Sequence, residues 1–308
     1  MIVAKIKTLK EQLKNGVTPA MATPIGKNGR FSPQSIPSLV SFLHDAGVKG
    51  LFVGGTTGEG LLFSVDERKQ LHKAAMDAAA DRLPILLHVG ADRMDDALAL
   101  TTHAATLNPA AIVAITPTFF GMDDDALFDY FVAIAQAAPE VPLLLYDIPH
   151  MAGNGISIPL FSRLAAALPN LAGAKTSRPD AQAIRRLIDA APPEMIILAG
   201  NEAIALGSLA LGAIGMISGL ATAVPEPFVA LTQQFADGDI AAAQQTQKLI
   251  NRLLAFTPAK RRIGMIKSIL NDRGIDVGTA VPPRAMPETA VWPQMKAELQ
   301  AVQVTSYK

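Results

Sequence analysis

Short runs of apolar residues alternate with longer amphipathic segments along most of the chain. Each short run is bounded by turn-forming residues, which is typical of a buried strand. In the longer segments, apolar residues recur every three or four positions, as on one face of a helix. The predicted strands are residues 17–22, 50–53, 84–89, 110–115, 141–145, 171–175, 195–199 and 213–217. The predicted helices between them are residues 35–46, 64–80, 92–107, 124–137, 159–167, 180–190 and 202–211.

The predicted strands are continuous apolar runs rather than alternating ones, which indicates a parallel sheet covered on both faces. They recur about every 20 to 35 residues, a spacing that suits right-handed helical crossovers. Eight strand–helix units in this order predict an α/β fold, the closed (β/α)8 TIM barrel. An open, doubly wound sheet is the competing architecture. The first strand–helix unit has no G-x-G-x-x-G motif, which disfavours that alternative.

The pattern changes after residue 223, where apolar spacing predicts helices and no further strands. These helices cover residues 228–235, 241–254 and 258–271, and a short helix closes the chain. We therefore predict a catalytic barrel over residues 1–223 and a helical extension, packed on the barrel, over residues 224–308. Within the barrel, Ser64-Val65-Asp66-Glu67 is a capping box that starts the helix 64–80.

Composition narrows the class of protein. The chain has 308 residues, half of them apolar, which suffices for one large core. Its 27 basic and 27 acidic residues balance, so nucleic acid and acidic membrane surfaces are not expected partners. Cysteine is absent, which excludes disulfides and thiolate catalysis and suits a cytoplasmic protein. Neither a secretory signal in residues 1–15 nor a membrane span is predicted.

One lysine ends a predicted buried strand. Lys175 follows the apolar run 171–174 and precedes small polar residues. Burial disfavours the charged ammonium, so we expect a lowered pKa and an accessible neutral amine. Such an amine can attack a ketone and form an imine. The ordinary alternative is a lysine that reaches solvent or pairs with a carboxylate.

Other candidate groups fall at the carboxyl ends of strands, which point into one mouth of such a barrel. They are Thr56 and Thr57 after strand two, Tyr146 after strand five, Gly200 after strand seven and Ile217 at strand eight. Backbone amides and hydroxyls of the glycine-rich turn around Thr56 can hold a carboxylate. The Tyr146 phenol, beside an imine-forming lysine, can shuttle protons.

Three further polar residues are expected to be structural rather than reactive. His88, on strand three, is interpreted as a satisfied core histidine. Asp147 and Glu59 are interpreted as structural partners. No histidine–carboxylate cluster has metal-ligand spacing, so no metal site is predicted and a metal-dependent aldolase is disfavoured.

These residues, in this order, resemble the family of dihydrodipicolinate synthase and N-acetylneuraminate lyase, which also contains the 2-keto-3-deoxy sugar acid aldolases. The matching motifs are Gly55-Thr56-Thr57-Gly58-Glu59, Tyr146-Asp147-Ile148-Pro149 and Gly173-Ala174-Lys175. The resemblance implies a homotetramer of (β/α)8 barrels whose lysine forms a Schiff base with pyruvate or another 2-keto acid, without a further cofactor. It also implies that Tyr146 relays protons, that Gly55, Thr56 and Thr57 bind the carboxylate, and that Gly200 and Ile217 line the substrate site.

Departures from the family pattern narrow the substrate. Dihydrodipicolinate synthases usually carry a tyrosine after strand four and an arginine after Tyr-x-x-Pro. In this chain, residues 116–120 after strand four contain no tyrosine, and His150-Met151-Ala152 stand where the arginine is expected. The polar pair of sialic acid lyases is only partly matched by Asn201-Glu202-Ala203, and Thr176 replaces an acidic residue. We expect cleavage of a 2-keto-3-deoxy sugar acid to pyruvate and an aldehyde. Dihydrodipicolinate synthase, a keto-acid dehydratase using the same imine, and a silent keto-acid-binding barrel are the alternatives.

Overall fold

Eight strands and thirteen α-helices follow one another in the computed structural model, which describes residues 1–301. The strands are β1 Val17–Pro19, β2 Leu51–Val53, β3 Ile85–His88, β4 Ala111–Ile115, β5 Leu143–Asp147, β6 Leu171–Thr176, β7 Ile196–Ala199 and β8 Gly215–Ser218. The helices are α1 Ile2–Leu13, α2 Ile36–Asp45, α3 Val65–Ala79, α4 Met94–Thr106, α5 Asp124–Ala137, α6 Pro149–Ala152, α7 Ile158–Ala167, α8 Ala181–Ala190, α9 Ala205–Ala210, α10 Glu226–Ala236, α11 Ile240–Ala255, α12 Arg262–Asp272 and α13 Trp292–Ala301.

All eight strands lie in one parallel sheet, in the order β1-β8-β7-β6-β5-β4-β3-β2. A bridge between Ala20 and Phe52, with a 2.9 Å hydrogen bond from the Met21 amide to the Phe52 carbonyl, joins β1 to β2. The sheet therefore closes on itself, and the predicted (β/α)8 barrel is confirmed.

The apolar core has two layers. One lies between the strands and the surrounding helices, with Leu39, Leu100 and Phe161 among its members. The other fills the barrel interior, with Phe52 and Leu144 among its members. Strands buried on both faces require continuous apolar runs, which is why the sequence shows them. Within residues 1–301, no helix is both long and apolar enough to cross a lipid bilayer.

Helix α1 was not among the predicted elements. Its buried residues Ile6, Leu9 and Leu13 belong to the inner core, so the helix plugs the end of the barrel at which the strands begin. Its spacing of apolar residues is helical, but four lysines in the first fourteen residues weaken the apolar stripe. The helix is stable because its narrow face is buried against the strands.

The helical extension contacts the barrel through charged groups as well as apolar ones. Arg273 donates to the Ala223 carbonyl of the barrel at 3.0 Å, and within the extension it pairs with Glu226 at 2.5 Å. Helix α12 begins at Arg262, four residues later than the sequence predicts, because residues 258–261 form a turn instead. The domain boundary at residue 223 stays a prediction, and residues 302–308 lie outside the described part of the chain.

Candidate active site

A bulge in β6 determines where Lys175 points. Leu143 and Leu144 of β5 pair with Leu171 and Gly173, so Ala172 is an extra residue in β6. After this shift Tyr146 and Lys175 are register partners, and both side chains point into the barrel. Gly173 has a φ of 143°, and a Cβ atom there would overlap the Ile196 carbonyl, so only glycine fits.

The amine of Lys175 lies among aromatic rings. Its Nζ is 4.0 Å from the centroid of the Tyr146 ring and 5.2 Å from that of Phe52. The side chain is buried, with 5% of the residue exposed. Among the described residues, no carboxylate forms an ion pair with it. The two ordinary roles of a lysine, solvent exposure and carboxylate pairing, are therefore both excluded.

Tyr146 is held by a hydroxyl from the opposite side of the barrel. Its OH lies 2.9 Å from Thr56 Oγ1, and either oxygen can be the donor. The Thr56 turn is itself anchored, because Thr23 Oγ1 donates to the Gly58 carbonyl at 2.6 Å. The lysine, the phenol and the threonine thus form one contact group at the carboxyl ends of β2, β5 and β6.

A cavity of about 400 Å³ opens at this mouth, and we call it the lysine cavity. All the predicted site residues except Gly55 line it: Thr56, Thr57, Tyr146, Lys175, Gly200 and Ile217. Gly55 lines a neighbouring cavity, and a Cβ atom there would overlap the Phe52 ring. Its position explains why the turn needs glycine.

Asp147 is structural, as predicted. Its carboxylate accepts from Arg178 Nε at 2.6 Å and Nη2 at 3.1 Å, from Thr176 Oγ1 at 3.0 Å and from the Ile156 amide at 3.0 Å. Thr176, where the family usually has an acidic residue, thus contributes to this network. The network fixes the loops that follow β5 and β6.

Glu202 and Arg262 are cavity residues whose pairing the sequence does not reveal. Glu202 Oε1 accepts from Ser218 Oγ and the Leu220 amide, each at 2.8 Å, and its other oxygen pairs with Arg262. Both residues line the lysine cavity. Glu202 can be noticed in the sequence, because it is a polar residue that follows a buried strand. Arg262 is sixty positions away, and no local pattern indicates that it reaches the same site.

His88 is buried as predicted, but the expectation that it is fully satisfied is wrong. Arg68 Nη2 lies 3.1 Å from its Nδ1 and donates to its carbonyl at 2.8 Å, whereas its Nε2 has no hydrogen-bond partner among the described residues. Burial, then the Arg68 and His72 charges and finally Lys175, hold the pKa of His88 well below its usual value. The ring packs edge-on against Phe52 and Tyr146.

Metal ligation would require several His, Asp or Glu side chains to converge on one point. Over residues 1–301, no group of three or more such side chains is arranged to hold a metal ion. That the reaction needs no metal stays a prediction, because the arrangement of side chains does not test it.

The fold and the site define a class of protein, a parallel (β/α)8 barrel with a buried lysine at its mouth. The profile of the dihydrodipicolinate synthetase family matches residues 13–302, and the chain belongs to this family. An N-acetylneuraminate lyase of Mediterraneibacter gnavus is 31% identical over 281 residues, covering 90% of this chain and 89% of the relative. A 4-hydroxy-tetrahydrodipicolinate synthase of Thermus thermophilus is 31% identical over 230 residues, covering 75% of this chain and 77% of the relative. The solved structure of a catalytic-lysine mutant of Ruminococcus gnavus sialic acid aldolase has a TM-score of 0.87 at 30% identity, covering 96% of both chains.

Proposed function

We propose that this enzyme is a class I aldolase whose Lys175 forms a Schiff base with pyruvate or a related 2-keto acid. The observation that carries the proposal is the buried amine of Lys175, 4.0 Å from the Tyr146 ring and unpaired with any carboxylate in residues 1–301. A poorly solvated amine next to a proton-transfer group is what imine formation requires. The sialic acid aldolase of similar structure is described as having a catalytic lysine, which supports a catalytic role for Lys175.

The mechanism uses the neighbours of Lys175. The amine attacks C2 of the keto acid, the carbonyl oxygen leaves as water, and the resulting imine withdraws electrons from the adjacent carbons. Cleavage of the carbon–carbon bond then releases an aldehyde and leaves a pyruvate enamine. Tyr146, oriented by its 2.9 Å hydrogen bond to Thr56, moves protons at the oxygen that leaves and at the hydroxyl that becomes the aldehyde. Thr56 and Thr57 hold the carboxylate and so fix the ketone near the amine.

The substrate we propose is an unphosphorylated 2-keto-3-deoxy sugar acid. The wall of the lysine cavity beyond the amine carries Ser177, Asn201 and His150, whose side chains can exchange hydrogen bonds with sugar hydroxyls. Arg262, the nearby cation, is already paired with Glu202, so a second substrate carboxylate has no free arginine among these lining groups. This favours a polyhydroxylated aldehyde over aspartate semialdehyde.

Borohydride trapping tests the proposal. Incubation with pyruvate and borohydride is expected to add the mass of a reduced pyruvate adduct to Lys175, and Lys175→Ala is expected to abolish both the adduct and turnover. A panel of 2-keto-3-deoxy sugar acids, assayed for pyruvate release, then identifies the substrate class. An unlabelled Lys175 in an active enzyme would refute the Schiff base. Faster condensation of pyruvate with aspartate semialdehyde would assign the synthase activity instead.

A further inference from the structure

A second cavity lies beside the lysine cavity, and we call it the histidine cavity. Its volume is about 220 Å³, and His88, Gly55, Ile115 and Leu61 are among its lining residues. Thr56 and Tyr146 line both cavities. These two residues, whose hydroxyls are hydrogen-bonded to each other, therefore border both cavities.

The contacts of His88 fix the position of its ring proton. A guanidinium can only donate, so Nδ1 of His88 accepts from Arg68 Nη2. With that lone pair engaged and the ring neutral, the single proton lies on Nε2. Arg68 also donates to the Gly90 carbonyl at 2.9 Å, and His72 Nε2 lies 3.1 Å from the His88 carbonyl, so the donor to the ring and the backbone of His88 are both anchored.

The Nε2–H group of His88 is a buried donor without an acceptor among residues 1–301. The residue is 2% exposed, and the described part of the chain supplies no hydrogen bond to this nitrogen. The Gly54 carbonyl raises the pKa of the ring against the larger effects that lower it, but it forms no hydrogen bond with Nε2 that meets ordinary distance and angle limits. A buried donor that stays unpaired is costly, so its acceptor is expected to come from outside the protein.

We infer that His88 is a positioning residue for proton transfer, whose Nε2–H orients a water molecule in the histidine cavity against the Thr56–Tyr146 hydroxyl pair. The cavity is large enough for water, and the histidine N–H with the two hydroxyl oxygens supplies the polar partners that a buried water needs. The inference rests on the proposed function, because it concerns protons that Tyr146 exchanges during imine chemistry.

Protons and charge balance along this path. When Tyr146 gives a proton to the reacting oxygen, it takes one from Thr56 or from the water, and the water takes one from solvent. When Tyr146 accepts a proton, each transfer runs in the opposite direction. His88 itself neither gains nor loses a proton, because Arg68 occupies its only basic nitrogen. Its role is to keep the water in line with the phenol.

Hydrogen–deuterium exchange of the pyruvate methyl group tests the inference without knowledge of the aldehyde. The enamine derived from pyruvate exchanges its methyl hydrogens in D₂O, and NMR follows the loss of the methyl signal. His88→Phe removes the donor, and we expect exchange to slow by at least about tenfold. His88→Gln restores an N–H at the position of Nε2, and we expect a rate within about threefold of the unaltered enzyme. Leu61→Trp fills the cavity from its half-exposed rim and leaves residue 88 unsubstituted, and is expected to slow exchange as His88→Phe does.

Borohydride trapping in the same samples separates the possible outcomes. Slow exchange in His88→Phe with an unchanged adduct on Lys175, and rescue by His88→Gln, would support the inference. Unchanged exchange in His88→Phe, or equally slow exchange in His88→Gln, would overturn it. A ¹⁵N–¹H spectrum with the ring proton of His88 on Nδ1 would also overturn it. Failure of the unaltered enzyme to form any adduct would refute the proposed function and this inference together.

Discussion

Gly200 lies directly against the side chain of Lys175. A Cβ atom at this position would lie 2.8 Å from Lys175 Cε and 2.9 Å from the Thr176 carbonyl, and would overlap Ser177 Oγ. The Lys175 stem and the Ser177 hydroxyl are flexible, whereas the backbone carbonyl is not, so both of these side chains must move. At the scale of one residue, the position of the Lys175 amine depends on the absence of a methyl group at residue 200.

Gly200→Ala is therefore expected to move the amine away from its position over the Tyr146 ring. We expect pyruvate-dependent trapping on Lys175 to slow by at least about tenfold, since misplacement of a reacting group by about 1 Å can have a larger effect still. Rates of adduct formation, followed by mass spectrometry, provide the measurement. Gly207→Ala is the matched control, because a Cβ atom there meets nothing within 4 Å, and it should react at the unaltered rate. Equal rates in the two variants would refute this role of Gly200.

The turn after β2 depends on a helix that is distant in sequence. Glu59, in this turn, and Lys267, in α12, form an ion pair of 2.7 Å with both side chains fully buried. Glu59 also accepts from the Val281 amide at 2.9 Å, and Lys267 donates to the Thr279 carbonyl at 2.8 Å. Burial lowers the pKa of Lys267, and the Glu59 carboxylate opposes that shift. The predicted structural role of Glu59 is thus to attach the helical extension to the turn that carries Thr56.

Breaking this ion pair should destabilise the protein strongly. Lys267→Met leaves the Glu59 carboxylate buried beside a reduced set of partners, and we expect a loss of about 3–5 kcal/mol in the free energy of unfolding. The double variant Glu59→Gln with Lys267→Met removes both charges and should be less destabilised than Lys267→Met alone. Urea unfolding measures both. Lys73→Met breaks an exposed pair with Asp77 and should cost less than about 1 kcal/mol. A similarly small loss in Lys267→Met would contradict the argument.

The elements themselves were predictable where their signals are local. Helix α5 has the predicted bounds, and the Ser64–Glu67 capping box is present at the start of α3. Lys175 and Tyr146 were found because strand ends of a parallel barrel converge by topology. The tautomer of His88 depends on Arg68, on another element, and no periodicity encodes such a contact. The bulge at Ala172 was missed for the same reason, since it results from pairing between strands.

At the scale of the whole molecule, the barrel is closed by contacts at both of its ends. Helix α1 plugs the end where the strands begin, whereas α12 supplies Arg262 to the cavity at the opposite end. These contacts join residues far apart in sequence, which is why the sequence placed Lys175 at the mouth of the barrel but did not reveal that Arg262 lines the same cavity. The homotetramer that the resemblance implies stays a prediction.

Two buried histidines make the stability of the whole fold depend on pH. Burial, assisted by the Arg68 and His103 charges, lowers the pKa of His72 to about 3, and burial with the Arg68 charge holds the pKa of His88 well below its usual value. In the unfolded chain each imidazole has a pKa of about 6.5. Below that pH the unfolded state binds protons that the folded state does not, so stability is lost as the pH falls.

Lowering the pH from 7.5 to 5.5 should therefore reduce the free energy of unfolding by roughly 1 to 2 kcal/mol for each of these histidines. Urea unfolding at the two pH values provides the measurement. His72→Gln keeps an N–H that can donate to the His88 carbonyl but cannot titrate. The pH-dependent loss in the free energy of unfolding should therefore be smaller by the contribution of one histidine. Leu71→Ala, in the same helix, should lower stability by equal amounts at both pH values, because it removes apolar packing and no titrating group. If His72→Gln showed the full loss, protonation of His72 on unfolding could not be its source, and the acid sensitivity would have to come from other groups.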